Sequence, residues 1–135
     1  MFSIQLMPRF SETDALGHIN NTVVPIWFEA GRVEIFKIFV PDLDTTQWKL
    51  IVANINVDYI AQIYMEYEVE IRTGIQKIGN SSFVVYHEAI QKGQVVAKGT
   101  AVMVHYDFSE QKSKPIPNEL REHLQRHLVA NETNE

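Results

Sequence analysis

The sequence predicts an α+β domain: a five-stranded antiparallel sheet wrapped around one long central helix, with a short helix at the C-terminal end. Three observations lead there. A single long apolar stretch, "VVPIWFEAGRVEIFKIF" from Val23 to Phe39, repeats its bulky residues at helical spacing. Four segments that alternate or are rich in β-branched residues follow it. Short turns join those segments, and short turns impose antiparallel pairing. A long apolar helix placed after the first strand must then cover one face of the sheet.

The elements follow in order. Phe2 to Phe10 alternates loosely through Phe2, Ile4 and Leu6 and reads as a strand. A polar segment, "ETDALGHINN", comes next. The helix should begin near Thr22 or Val24, because Pro25 is tolerated only in a first turn. Val24, Trp27, Phe28, Gly31, Ile35 and Ile38 form its first apolar face, and Ile26, Ala30, Val33 and Phe36 form a second. Glu29, Arg32, Glu34 and Lys37 are expected on the flanks. A helix apolar on opposite sides needs cover on both.

A second strand is expected where Ile51, Ala53, Ile55, Val57 and Tyr59 alternate with other residues. "MEYEVEIRT" from Met65 is the clearest alternation and predicts a strand with one face in water. Gly79-Asn80 marks a turn, and Ser82 to Ile90 reads as a strand apolar on both faces. Lys92-Gly93 turns the chain into a strand from Val95 to Tyr106. There Val95, Ala97, Gly99, Ala101 and Met103 share a face of small residues that lets the helix come close. Pro117 and Asn118 open a short amphipathic helix with Leu120, Leu124 and Leu128 on one side. The tail "VANETNE" reads as a frayed end.

Composition narrows the function. The chain has 135 residues, no cysteine and a net charge of -5. This length suits one domain over residues 1–135. An acidic balance without a basic stripe argues against nucleic acid as a partner. Without cysteine there is no disulfide and no thiolate chemistry. The first residues lack the pattern of a signal peptide. No run approaches the roughly 18 apolar residues of a membrane span. A cytoplasmic protein with no membrane partner is expected.

The segment "RFSETDALGHINNTVVPIWFEAGRVEIF" carries a resemblance. It is similar to the opening of acyl-CoA thioesterases of the 4-hydroxybenzoyl-CoA thioesterase family, which have the hotdog fold. The pattern is met by Phe10, Glu12, Thr13, Asp14, Gly17, His18, Asn20, Asn21, Phe28, Glu29 and Arg32. "VDYIAQIYMEYEVEIRT", "GNSSFVVYHEAI", "VVAKGTAVMVHYD" and "KPIPNELRE" resemble later parts of the family, so the match spans almost the whole chain. Val24 stands where a tyrosine is usual, and Ala61 lacks the usual preceding proline.

The resemblance implies a hydrolase that releases a free acid and coenzyme A from an acyl thioester. Asp14 would be the catalytic carboxylate, acting as nucleophile or general base. A backbone N–H at the helix start, around Asn21, would polarise the thioester carbonyl. Gly17 lets the chain bend back, and His18, Asn20 and Asn21 hold the loop. Glu29, Ser81 and Ser82 are candidates for contacting substrate, whereas His87 and His105 read as ordinary strand residues. No metal site is expected, and no cofactor beyond the coenzyme A of the substrate; acyl carrier protein is the alternative carrier. A homodimer, or a homotetramer, with sites at the interface is implied. Two other readings stay open: a non-hydrolytic acyl-thioester binding protein, and a hotdog hydratase or dehydratase.

Overall fold

The computed structural model describes residues 1–130. Its elements are β1 (Phe2–Leu6), α1 (Val24–Gly31), α2 (Val33–Phe39), β2 (Leu50–Tyr59), β3 (Val69–Ile78), β4 (Ser82–Gln91), β5 (Gln94–Asp107), β6 (Lys112–Ser113) and α3 (Asn118–Gln125). The main sheet runs β1-β3-β4-β5-β2, and every neighbouring pair is antiparallel. The two-residue β6 pairs with the end of β5. A curled antiparallel sheet packed on a central helix is the hotdog arrangement that the resemblance implies. Among the described residues no helix is long and apolar enough to cross a membrane.

The helix packs through the face that its periodicity selects. Val24, Trp27, Phe28, Gly31, Ile35 and Ile38 are all buried. Fully burying an aliphatic or aromatic side chain of this size contributes about 1.5–3 kcal/mol. The α1 half lies in one core cluster with Ile19, Ile63, Val69 and Ile71. The α2 half lies in another with Leu50, Phe83, Met103 and Leu124. Gly31 permits the close approach of α1 to β3. A Cβ there would sit 2.6 Å from Thr73 Oγ1 and 2.9 Å from Ile71 Cγ2.

Several details differ from expectation. The central helix is interrupted at Arg32, whose N–H is shared between the carbonyls of Phe28 and Glu29 at 3.2 and 3.0 Å. Bonds divided in this way are common where a helix loosens. Arg32 is not a flank residue: its side chain turns inward and is buried. The first strand stops at Leu6, and Phe10–Glu12 forms a 3-10 turn.

The third strand starts only at Val69, so Met65 to Glu68 belong to the preceding loop. Val95 is exposed and Val96 buried, because a bulge between Ala89 and Ile90 pairs Ile90 with Val95 and leaves Val96 over. Such a bulge reverses the facing of the residues beyond it. Leu128 lies past the end of α3 and is exposed. The expected frayed tail lies outside the described residues from position 131 on. Its first residue, Val129, donates its N–H to Ile75 O at 2.8 Å.

Candidate active site

The polar segment before the helix folds into a tight hairpin. Thr13 and Ile19 face each other across it. Asp14 N–H donates to His18 O at 2.7 Å, and Gly17 N–H donates to Asp14 O at 3.3 Å. Gly17 has φ +80°, a left-handed conformation that costs glycine nothing and other residues about 1 kcal/mol or more. Asp14 Oδ1 accepts from Leu16 N–H at 2.8 Å and from His18 N–H at 3.2 Å. One carboxylate oxygen therefore ties the turn. The other, Oδ2, has no donor among the described residues.

Three anchors fix the hairpin. Toward the loop ahead of β3, Ile19 N–H donates to Ile63 O at 2.9 Å, His18 pairs with Tyr64, and their rings meet edge to face at 5.3 Å. Toward the helix, Glu12 Oε2 accepts from Trp27 Nε1–H at 3.1 Å, and Glu12 O accepts Asn20 N–H at 2.8 Å. At the helix start, Asn20 Oδ1 accepts from Thr22 N–H and hydroxyl at 3.0 and 2.9 Å. Tyr59 adds a fourth tie, its hydroxyl donating to Asn21 O. The bulged Val96 fixes the opposite wall, its carbonyl accepting from Ile60 and Ala61 N–H at 2.9 and 3.1 Å.

Between these walls lies a cleft of about 550 Å³ whose polar lining includes Asp14, Asn21 and Tyr59 and whose apolar lining includes Ile19, Ile60 and Ile63. The N–H groups of Asn20, Thr22 and Val23 are all taken, by Glu12 O, Asn20 Oδ1 and Asn20 O. Asn21 N–H has no acceptor among the described residues. Two residues that line one cleft thus each carry a group without a partner among the described residues, a carboxylate oxygen on Asp14 and the backbone N–H of Asn21. This pairing can supply or activate an oxygen nucleophile and stabilise a developing oxyanion.

The structure brings together only some of the expected residues. Asp14 and Asn21 line the cleft, and Gly17, His18 and Asn20 shape the hairpin beside it. Glu29 is exposed on α1. Ser81 and Ser82 stand at the β3–β4 turn, where Ser81 O accepts His105 N–H and Ser82 O accepts Gly79 N–H. Ser82 begins the ten-residue β4, whose far end, Gln91, is the one that contacts the loop beside the hairpin. That strand spans about 30 Å. Within one chain, Glu29, Ser81 and Ser82 do not line the cleft.

Sequence reasoning passed over Glu12, Trp27, Tyr59 and Gln91 as anchors. It also passed over a buried polar cluster below the helix break. Arg32 Nη1 lies 3.1 Å from His87 Nε2, and His87 Nδ1 lies 2.9 Å from Thr73 Oγ1. A guanidinium can only donate, so Nε2 accepts, and Nδ1 carries the proton and donates to Thr73. Phe28 stacks on the imidazole at 4.7 Å. Burial, reinforced by Arg32, pushes the His87 pKa down to about 3. Burial also lowers Arg32, against the opposing pull of Glu29. Arg32 Nε is buried with no partner among the described residues. Among the described residues, no group of three or more His, Cys, Asp or Glu is placed to hold a metal.

Known proteins resemble this chain along most of its length. The family model of the thioesterase-like superfamily matches residues 8–124. Uncharacterized protein YsmA of Bacillus subtilis (strain 168) is 31% identical over 117 residues, covering 86% of this chain and 80% of YsmA. The structure of a predicted thioesterase from Bacillus stearothermophilus superposes with a TM-score of 0.94 at 46% identity, covering 96% of this chain and 98% of that one. A thioesterase from Thermus thermophilus, solved in complex with coenzyme A and Zn, gives a TM-score of 0.82 at 29% identity, covering 91% of this chain and 96% of that one.

Proposed function

The chain belongs to the thioesterase-like superfamily and is a thioester hydrolase, and on that premise we propose that it cleaves acyl-coenzyme A with Asp14 as its catalytic carboxylate. The observation that carries this reading is the pairing of two groups on one cleft: Asp14, with Oδ2 unengaged, and the unpartnered Asn21 N–H.

Either carboxylate chemistry fits the hairpin. As a base, Asp14 takes a proton from water while the hydroxide oxygen adds to the thioester carbonyl. The tetrahedral intermediate then expels the thiolate, which takes the proton back. As a nucleophile, Asp14 adds to the carbonyl directly, the thiolate leaves, and water hydrolyses the resulting anhydride. In both routes the carbonyl oxygen gains charge, and Asn21 N–H stabilises it most in the transition state. The apolar wall of Ile19, Ile60 and Ile63 suits an acyl group. Coenzyme A enters only as part of the substrate, and the reaction uses no metal. A cytoplasmic location belongs to the same reading.

The test is a panel of acyl thioesters on coenzyme A and on acyl carrier protein, followed by thiol release and by enoyl absorbance. Thiol release with coenzyme A esters is expected. An enoyl change without thiol release would replace the proposal with a hydratase. Tight binding with neither signal would replace it with a binding protein.

A further inference from the structure

The loop beside the cleft, residues 60–68, has no strand of its own, yet its backbone is tied down at one point by a single side chain. Gln91, the last residue of β4, is only 4% exposed. Its Oε1 accepts Tyr64 N–H at 2.9 Å, and its Nε2 donates to Tyr64 O at 2.7 Å and to Tyr67 O at 2.8 Å. The amide thus meets both polar groups of the Tyr64 backbone, as a neighbouring strand would. Only a glutamine fits this task. A carboxylate of the same length would face two carbonyl oxygens without a proton to offer them, and asparagine is shorter by one methylene. The amide orientation is fixed by the same logic, since a flip would set Oε1 against those carbonyls.

Tyr64 in turn holds the hairpin: it pairs with His18, and its neighbour Ile63 accepts Ile19 N–H at 2.9 Å. His18 N–H and O bind Asp14 Oδ1 and N–H at 3.2 and 2.7 Å. The rigid sheet and Asp14 are therefore joined through Gln91, Tyr64 and His18. We propose that Gln91 is a positioning residue that locks the Asp14 hairpin onto the sheet. Its consequence for turnover rests on the reading of Asp14 as the catalytic carboxylate.

The experiment compares the parent with Gln91→Met and Gln91→Asn, using Gln76→Glu on an exposed stretch of β3 as a control. Amide hydrogen exchange at Asp14, His18 and Ile19 reads the hairpin, and Val85 and Ala101 in the sheet read global opening. Both Gln91 variants should speed hairpin exchange by about ten-fold or more, while Val85 and Ala101 change by less than about three-fold. In the same variants kcat should fall by about ten-fold or more with KM nearly constant, since a loosened carboxylate loses rate before binding. Hairpin exchange equal to the parent's would overturn the assignment. So would acceleration shared equally by Val85 and Ala101, or loss of folding in both variants, because Gln91 would then serve the whole domain. A loosened hairpin with unchanged turnover would uphold Gln91 and refute the role of Asp14 instead.

Discussion

Replacing Asp14 by asparagine separates chemistry from turn structure in one step. Asparagine retains an oxygen at the Oδ1 position, so the bonds from Leu16 N–H at 2.8 Å and His18 N–H at 3.2 Å can persist. They lose only their charge assistance, about 1 kcal/mol each or less. Set against a typical folding stability of about 5–15 kcal/mol, the variant should remain folded. The oxygen exchanged for an amide nitrogen is Oδ2, the one without a donor. An amide can neither accept a proton from water nor attack a thioester, so turnover should fall by at least about 100-fold, or about 2.7 kcal/mol of transition-state stabilisation. Binding of acyl-coenzyme A should survive, since the carboxylate acts mainly in the transition state. Initial rates of thiol release, paired with thermal unfolding of the same samples, make the assay. A folded Asp14→Asn within about three-fold of the parent rate would refute the reasoning. An unfolded variant would refute it too, because Asp14 would then be there for the turn alone.

Other outcomes follow from the buried cluster and the sheet edge. The folded pKa of His87, about 3, lies below its unfolded value near 6.5. Its contribution is therefore complete above pH 6.5 and is lost as pH falls toward 3, at about 1.4 kcal/mol per pH unit. Between pH 7 and pH 5 the parent should lose about 2 kcal/mol more than His87→Gln in urea unfolding, and equal losses would contradict the buried neutral imidazole. Arg32→Met should cost at least about 2 kcal/mol less than Arg32→Ala, because it fills the same space without a buried charge; equal urea midpoints would oppose this. At one edge of the sheet, β2 leaves Val52 and Ile55 at 42% and 46% exposed. Such an edge invites pairing with a second copy. Sedimentation at micromolar concentration should show a dimer or tetramer that Ile55→Lys shifts toward monomer, and a monomeric parent would reject the association.

What the sequence determined by itself is what local physics constrains. Helical spacing selected the buried face of α1 and α2 from Val24 to Ile38, because a helix can bury only residues that recur on one side. Two-residue alternation selected the buried Val69 and Ile71 of β3 over Glu70 and Arg72. The glycine in "ALGHINN" marked the turn, because the left-handed φ of Gly17 excludes most other residues. The motif singled out Asp14 and Asn21, and both line the cleft. The tertiary structure alone decided which of their atoms stay free: Oδ2 and the Asn21 N–H are distinguished only by the bonds their neighbours make. It alone turned Arg32 inward, toward His87 55 residues away. It alone brought the Tyr59 hydroxyl to Asn21, 38 residues back, and the Gln91 amide to Tyr64, 27 residues back. A polar side chain carries no periodic signature of a partner so far along the chain. Its role appears only when the sheet, its bulges and the helix break set the two ends side by side.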